Sequence, residues 1–182
     1  GMKAHEAQSQ NILTDYQGWL VHDCWQTYFN FPNSNHALCG AHLLRELYAL
    51  KENHSLWAAE FHSFLYDLYV KSDFGNNALP DKKKKGILKA FKRLIKMADK
   101  EEPPAIPSIR GKPSQTKGRN LLDRLQLHME NVIAFAFNEI VPFTNNQAER
   151  DIRPTKSKLK ISGCFRTDHG ARYYARIQSF IS

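Results

Sequence analysis

The sequence predicts a mainly helical fold with a small β component. Four long segments place apolar residues three and four positions apart, which is the spacing of one buried helix face. Two short apolar runs, both before residue 39, are flanked by turn-forming or polar residues, as is typical of strands. With 182 residues, of which 42% are apolar, the chain is long and apolar enough to form a folded domain with a core.

The first strand candidate is Gly18–Asp23, a short apolar run that opens with glycine and closes with aspartate. Asp23 would then lie at the carboxyl end of a buried strand, where α/β proteins tend to place ligand-binding groups. The alternative is that Asp23 caps a helix over residues 24–29. A turn over residues 32–35 leads to the second, very short strand candidate, His36–Leu38.

Breaks separate the helical segments, and the later breaks contain glycine or proline. The segments cover residues 39–53, 56–71, 80–100 and 116–139. Pro142 ends the fourth, and Asp168 can cap a last helix that reaches Ser182. Four prolines make residues 101–115 irregular, so this stretch is the best internal linker, whereas residues 1–14 are polar with room for a short helix.

The helix over residues 80–100 has one apolar face and one strongly basic face. Two interpretations of the basic face stay open. It is either solvated, or it contacts nucleic-acid phosphates, because cations on one face neutralise phosphates and release counterions. Its cations are Lys82, Lys83, Lys84, Lys85, Lys89, Lys92, Arg93 and Lys96.

A helix start and a helix stop lie close together in residues 144–154, which read TNNQAERDIRP. Thr144 or Asn145 can cap the start, because a short side-chain oxygen accepts a hydrogen bond from a free backbone N–H. Pro154 lacks an N–H and disfavours helix at the residue before it, so we expect about two turns ending near Ile152. After it, residues 158–165 alternate charged and apolar groups, as in a hairpin or a basic strand.

Glu149 lies in the middle of this short helix, among arginines. It is either ion-paired with Arg153 one turn later, or it is a metal ligand. Residues 141–182 carry eight lysines and arginines against three acidic residues, a balance that suits a polyanion together with a divalent metal. Asp23 and Glu149 would be two of the carboxylates of such a site, in which two metal ions clamp the oxygens of a phosphoryl transfer.

The composition bounds the partners and the compartment. The net charge of +8 and the pI near 9.4 are typical of a nucleic-acid-binding protein. Three cysteines argue against a disulfide framework, and no apolar run approaches the roughly 18 residues of a membrane span, so we expect a cytoplasmic protein without a membrane partner. Cys39 and His42 share a helix face, but a zinc site needs two more ligands, and a buried thiol beside a hydrogen-bonded histidine is the simpler interpretation.

Four stretches of the chain together resemble one known family, the bacterial insertion-sequence transposases of the sixty-six type. The C-terminal signature is the longest match, and the resemblance extends over nearly the whole chain from residue 12 onward. The matching stretches are residues 143–154 with 160–166 and 170–171, residues 18–25 with Tyr28, residues 36–42 with Arg45, and residues 118–125.

The resemblance implies a DDE transposase with a ribonuclease-H-like core, in which three carboxylates hold two Mg²⁺ ions for DNA cleavage and joining. Asp23 matches the second acid and Glu149 the third. Cys39 and His42 fall in the family's Cys-x-x-His segment. The motif positions that would support the acid or contact DNA are Asn145, Asn146, Arg150 and Arg153. We also expect Lys156, Lys158, Lys160 and Arg166 to contact DNA. The implied division is a core remnant over 1–38, a helical insertion over 39–140 and a catalytic segment over 141–182.

The family's first aspartate has no counterpart here, because no Asp-bearing strand precedes residue 18. We therefore expect a partial ribonuclease-H-like core and a chain that does not cleave or join DNA alone. The missing strands should leave apolar surface, so we also expect a homo-oligomer or a missing N-terminal part. The alternative is a non-catalytic, basic helical module that binds DNA or a partner protein.

Overall fold

The computed structural model describes residues 13–104 and 115–181. The chain divides into two compact units, residues 1–144 (unit 1) and residues 145–182 (unit 2). Most described residues are helical and few are in strands, so the prediction of a mainly helical fold with a small β component is confirmed. The elements are β1 Trp19–His22, β2 Asn35–Leu38, α1 Gly40–Glu52, α2 Leu56–Lys71, α3 Lys84–Glu101, α4 Lys117–Leu127, α5 Met129–Ile133, α6 Asn146–Ser162 and α7 Asp168–Ile181.

The two strands form a parallel pair in which Trp19 lies opposite Asn35 and His22 opposite Leu38. Their connection is a 3₁₀ turn over Gln26–Asn30, not the helix predicted over residues 24–29. Pro32 follows closely and disfavours helical backbone at the residue before it, so a full α-helix has no room to form. Because the strands are parallel, their carboxyl ends lie at one edge of the sheet. We call this the carboxyl edge. It consists of residues 22–24 at the end of β1 and residues 38–40 at the end of β2.

Helices α1, α2 and α3 follow the predicted segments closely, and their apolar faces build the core of unit 1. Trp57, Phe61, Leu65 and Leu68 of the predicted α2 face are buried. Phe61 packs edge-on against Phe91 of α3 with ring centroids 4.8 Å apart. The fully buried side chains also include Leu47, Leu65, Leu121, Leu122, Leu125, Val132, Ile133, Phe135 and Val141.

The side chain of Glu101, the last residue of α3, holds the start of α2. The Glu101 carboxylate accepts hydrogen bonds from the Ser55 hydroxyl and from the N–H groups of Leu56 and Trp57, each at 2.9 Å. These contacts satisfy N–H groups that an α-helix leaves without an internal partner. They also explain why α2 starts at Leu56 without a capping pattern of its own.

Arg119 locks α4 against α3. Its guanidinium is buried and donates to Asp99 at 2.8 Å, to the Glu102 carbonyl at 2.6 Å and to Asp123 at 2.5–2.8 Å. The hydrogen bond to Asp123, followed by the bond to Asp99, raises the pKa of Arg119 although burial opposes it. A buried cation with three acceptors is satisfied, so this network fixes the geometry of the helix pair.

The helix predicted over residues 116–139 is interrupted at His128, which separates α4 from α5. The break lets the chain turn onto the sheet, because His128 stacks on Phe29 with centroids 4.3 Å apart and the Asn131 amide donates to the His36 carbonyl at 2.8 Å. A 3₁₀ turn over Ala134–Ala136 follows. The helical spacing of apolar residues continues through residue 137, so the sequence pattern alone does not indicate these long-range contacts.

In unit 2 the predicted helix start is confirmed and the predicted stop is wrong. Asn145 is the N-cap residue of α6, although its side chain does not make the predicted capping hydrogen bond. The helix runs through Pro154 to Ser162, and the hairpin or strand expected over residues 158–165 does not form. Pro154 is exposed, so the Arg150 carbonyl that loses its N–H partner can bond to water. Gly163, with φ of 74°, ends the helix, and its N–H donates to the Leu159 carbonyl at 2.8 Å.

Candidate functional site

Asp23 lies at the carboxyl edge, directly after β1, and its side chain is exposed. One carboxylate oxygen, Oδ1, accepts the Trp25 N–H at 3.3 Å. Asp23 therefore follows a strand, as the first interpretation predicted, and steadies the turn after it instead of capping a helix. The hydrogen bond orients the carboxylate without burying it, so the group remains open to a ligand.

The backbone turns sharply after Asp23, because Cys24 has φ of 68°. The left-handed region is costly for a residue with a Cβ atom, and such strain clusters at functional sites. The other non-glycine residues with positive φ, namely His54, Asp73 and Phe74, lie just after helix ends, where this conformation is common. Burial raises the pKa of the Cys24 thiol, so this cysteine is a weak nucleophile at neutral pH.

A chain of hydrogen bonds beneath Asp23 fixes two histidine tautomers. The Cys24 N–H donates to Nδ1 of His22 at 3.2 Å, so the proton of neutral His22 is on Nε2. That proton points to Nδ1 of His36 at 3.3 Å, which places the His36 proton on Nε2, where it is donated to the Phe31 carbonyl at 3.2 Å. Burial, reinforced by the charge of His36, lowers the pKa of His22 to about 4, so His22 is neutral at physiological pH.

Sequence reasoning missed this histidine pair. The signal that could have found it is the two-residue alternation of strands, which turns His22 away from the exposed Asp23 and into the protein. His22 is 2% exposed and also packs edge-on against Phe29, with centroids 4.8 Å apart. His22 therefore supports the carboxyl edge from the buried side of β1.

The second half of the carboxyl edge is bonded to both β1 and the end of unit 1. The N–H of the buried Cys39 donates to the His22 carbonyl at 2.8 Å, and the Gly40 N–H donates to the Phe143 carbonyl at 2.8 Å. A Cβ atom on Gly40 would lie 2.0 Å from the Phe143 ring, so only glycine fits. The segment that leads into unit 2 is thus anchored at the same edge that carries Asp23.

The Phe143 ring is held by aromatic neighbours. It stacks on Tyr69 with centroids 3.9 Å apart and meets Phe135 edge-on at 4.7 Å. Burial of the ring fixes the chain only two residues before unit 2 begins. The family-like signature starting at Phe143 therefore begins with a core residue and continues into exposed helix.

His42 lies one turn after Cys39 at the start of α1, and its backbone N–H donates to the Cys39 carbonyl at 3.2 Å. Cys39 is buried, as the simpler interpretation of this pair predicts. Across residues 13–104 and 115–181, no three His, Cys, Asp or Glu side chains are grouped so that they could hold a metal ion.

In unit 2, Glu149 lies in the first turn of α6, where a negative charge is favoured by the helix dipole. Since α6 continues past Pro154, residues 149, 153, 156 and 160 follow one another at intervals of three and four along one face. The carboxylate of Glu149 thus begins a row whose other members are Arg153, Lys156 and Lys160, all exposed. We call these three residues the α6 cation row.

The other residues expected to contact DNA lie elsewhere in unit 2. The Lys158 ammonium lies 5.4 Å from the ring centroid of Tyr174 and 5.7 Å from that of Phe165, so it stabilises the contact between α6 and the segment after it. Arg150 is exposed on α6, and Arg166 is exposed in the loop before α7. Asn145 and Asn146 form the start of α6.

Comparison with protein families gives one match that covers most of the chain. The model of the family described as "Transposase IS66 family" matches residues 3–173. Searches of curated proteins and of solved structures found no match. Within the described ranges, every helix is too short or too polar to cross a lipid bilayer.

Proposed function

We infer that this chain, which belongs to the IS66 family of transposases, acts in DNA transposition by metal-dependent phosphoryl transfer. Asp23 and Glu149 are the two acids that it contributes, in the order that the family resemblance implies. The proposal includes a partial ribonuclease-H-like core with a helical insertion over residues 39–140, between a core segment over 1–38 and a catalytic segment over 141–182.

The observation that carries the proposal is the construction of the carboxyl edge. Asp23 is exposed at the end of β1, and Phe143, the first residue of the signature that contains Glu149, is bonded to Gly40 at the same edge of unit 1. Parallel sheets bind ligands beyond the carboxyl ends of their strands. The strained backbone at Cys24 is a further feature expected of a functional site.

The carboxylates fit a hard divalent cation. Mg²⁺ prefers oxygen ligands and is commonly held by one or two carboxylates with water and phosphate oxygens. When bound, it activates the attacking hydroxyl and neutralises charge on the transferred phosphoryl group. Asp23 would contribute the carboxylate oxygen that does not bond to Trp25, and Glu149 would contribute from the first turn of α6.

The cations of unit 2 would bind the DNA backbone. The α6 cation row continues from Glu149 along one helix face, so phosphates bound by Arg153, Lys156 and Lys160 would lie in line with the acid. Arg150, Arg166 and Lys158 add positive charge to the same unit, while Asn145 and Asn146 would support the helix start that carries Glu149.

We further propose that the 182 residues do not cleave or join DNA on their own, because they supply two of the three acids that the family resemblance implies. The first acid would come from another segment or chain. The partners are then the DNA ends of the mobile element together with a second copy of this chain or a further part of the protein. The cytoplasm is the expected compartment.

Manganese binding tests the metal site. Titration of the full chain with Mn²⁺, followed by electron paramagnetic resonance, should show at least about tenfold weaker binding in Asp23→Asn and in Glu149→Gln, because each removes one charged oxygen ligand. Asp67→Asn removes an exposed acid from α2 and is the matched control. Equal affinity in all four proteins would refute the assignment of these acids.

A strand-transfer assay with Mg²⁺ or Mn²⁺ tests the second part of the proposal. The chain alone should give no cleaved or joined product. Activity that disappears in Glu149→Gln would show that the chain is catalytically complete and would overturn the expected inactivity.

The second candidate function is a non-catalytic, basic DNA-binding module. It is favoured by the exposed cations of α3 and α6. This function predicts DNA binding that is unchanged by EDTA and by both acid substitutions, together with Mn²⁺ affinity equal to that of Asp67→Asn.

A further inference from the structure

Helix α3 carries mostly positive charge on its exposed surface. Its acidic residues are Asp99 and Glu101, and both are used inside unit 1: Asp99 accepts from Arg119 at 2.8 Å, and Glu101 accepts from the start of α2. Apart from Glu101, whose carboxylate is bonded to the start of α2, the exposed charged side chains of this helix are Lys85, Lys89, Lys92, Arg93, Lys96 and Lys100.

These cations have no carboxylate partner among the described residues. Within the part of the chain that the structure describes, Lys84 is the one cation of this helix in an ion pair, with Glu130 at 3.5 Å. The neighbouring helices differ, because the exposed faces of α1 and α2 carry both signs. On α1 the exposed charges are Arg45, Glu46, Lys51 and Glu52, and on α2 they are Glu60, Asp67 and Lys71. A merely solvated face would be expected to mix charges in the same way.

The arrangement on α3 is unfavourable for an isolated helix. Lys85 and Lys89, and likewise Lys92 and Lys96, are like charges four residues apart, and such pairs destabilise a helix. Lysines also occupy the first turn, where the helix dipole disfavours positive charge. A polyanion bound along this face would remove both penalties.

Helical spacing sets Lys85, Lys89, Lys92 and Lys96 in one line, which we call the α3 lysine row. The row extends over roughly 17 Å, since 11 residues separate its ends at about 1.5 Å per residue. B-DNA carries one negative charge per about 1.7 Å of its axis, so a row of this length faces several phosphates. Lysine is a point charge without the paired donors that read a base edge, so the row suits the backbone and not the sequence.

We propose that the α3 lysine row is a duplex-binding surface that holds the DNA backbone without sequence preference, separate from the acids and from the α6 cation row. The identity of the polyanion rests on the proposed function in transposition. The binding itself requires neither Asp23 and Glu149 nor a metal ion. The row would retain flanking DNA by its phosphates, as an electrostatic contact that weakens with salt.

Salt-dependent duplex binding tests this surface. The affinity of the full chain for a fluorescent 30-bp duplex of arbitrary sequence would be measured by anisotropy in EDTA over a range of salt concentrations. Lys89→Gln/Lys92→Gln/Lys96→Gln should weaken binding at least about tenfold near 0.1 M salt and reduce the slope of log affinity against log salt by about 2.7, since each phosphate contact contributes about 0.9.

The matched control is Lys51→Gln/Lys71→Gln/Lys117→Gln, which removes three exposed lysines from other helices and has the same net charge. Its slope should change by less than about 1. Far-UV circular dichroism would establish that both triple variants are folded. Equal losses in the two variants would indicate a general effect of net charge, and an unchanged row variant would show no contact; either result overturns the proposal.

Two further measurements distinguish this proposal from a membrane-binding surface and from the proposed metal site. If the row variant loses binding to vesicles containing phosphatidylserine but keeps its duplex affinity, the row is a membrane surface and the proposal is wrong. Asp23→Asn and Glu149→Gln should keep the wild-type salt slope in EDTA. Equal Mn²⁺ affinity in these acid variants would refute the proposed metal site while leaving a positive result for the row intact.

Discussion

At the scale of single residues, the carboxyl edge combines a solvated acid with a buried, neutral base. Asp23 and His22 are adjacent in sequence but lie on opposite sides of β1, so one is exposed and the other is enclosed. Every ring nitrogen of His22 and His36 has a partner in the neutral state. A second proton on His22 would face the Cys24 N–H, a donor opposite a donor, so the geometry and the lowered pKa agree.

The lowered pKa of His22 predicts acid sensitivity of the fold. In the unfolded chain this pKa returns to about 6.5, whereas the folded value is about 4, so the unfolded state binds the proton first as the pH falls. The contribution of His22 to the free energy of unfolding is therefore complete above about pH 6.5 and decreases toward pH 4 by up to about 1.4 kcal/mol per unit. Urea unfolding at a series of pH values would measure it.

His22→Asn should flatten this pH dependence, because the substituted side chain does not titrate. His169→Asn, at an exposed position in unit 2, is the control and should keep the wild-type slope. His62 and His128 also have pKa values lowered by burial, so part of the acid sensitivity should persist in His22→Asn. An identical slope in His22→Asn and the wild type would contradict the prediction.

At the scale of secondary-structure elements, the length of α6 determines how the cations after Glu149 are arranged. A stop near Ile152 would leave Lys156 and Lys160 in a strand or loop, unrelated to Glu149. The continuous helix instead sets them in one row with Arg153. Lys158, which is two residues from each, faces the aromatic rings of Phe165 and Tyr174. Position along the helix therefore separates the residues that we propose to bind phosphate from the lysine that packs on aromatic rings.

Packing at the start of α1 gives the prediction at this scale. Gly40→Ala should destabilise unit 1 by about 2 kcal/mol or more, since the new methyl group would overlap the buried Phe143 ring and neither side has room to move. Gly86→Ala is the matched control in α3. No atom lies within 4 Å of its added Cβ, and alanine favours helix, so a gain of about 0.5 kcal/mol is expected.

Thermal unfolding followed by far-UV circular dichroism would compare the two glycine variants. The prediction is opposite signs for the same chemical change. Equal shifts in Tm would mean that the Gly40 to Phe143 contact does not constrain the carboxyl edge.

At the scale of the whole molecule, the two units differ in how they are stabilised. Unit 1 has a continuous apolar core, whereas no described residue of α6 or α7 is buried. An apolar stripe on α7 is exposed, with Tyr173, Ile177 and Phe180 spaced at four and three residues and Phe180 93% exposed. Exposed apolar stripes mark surfaces that associate with other protein.

We therefore expect the chain to self-associate through α7. Sedimentation velocity over a concentration series should show association that weakens at least about tenfold in Ile177→Lys/Phe180→Lys, because each buried side chain of this size contributes about 1.5–3 kcal/mol. Leu127→Lys, at an isolated exposed apolar position of α4, is the control and should associate like the wild type. A monomer at all concentrations would contradict the prediction.

Much of this molecule was predictable from its sequence. Helical periodicity located α1, α2 and α3 because their buried faces are continuous, and turn residues located both strands. The match to residues 3–173 confirms the family that the signature motifs indicated. The roles of Asp23 and Glu149 stay predictions that the metal and strand-transfer experiments test.

Only tertiary structure decided the remaining features, because each depends on residues far apart in sequence. The break at His128 follows from contacts with Phe29 and the sheet, the start of α2 from Glu101, and the need for glycine at residue 40 from Phe143. Local propensity describes only the conformation that an isolated segment prefers in water. Where a segment meets distant backbone or a buried ring, packing and hydrogen-bond satisfaction outweigh that preference and set its final form.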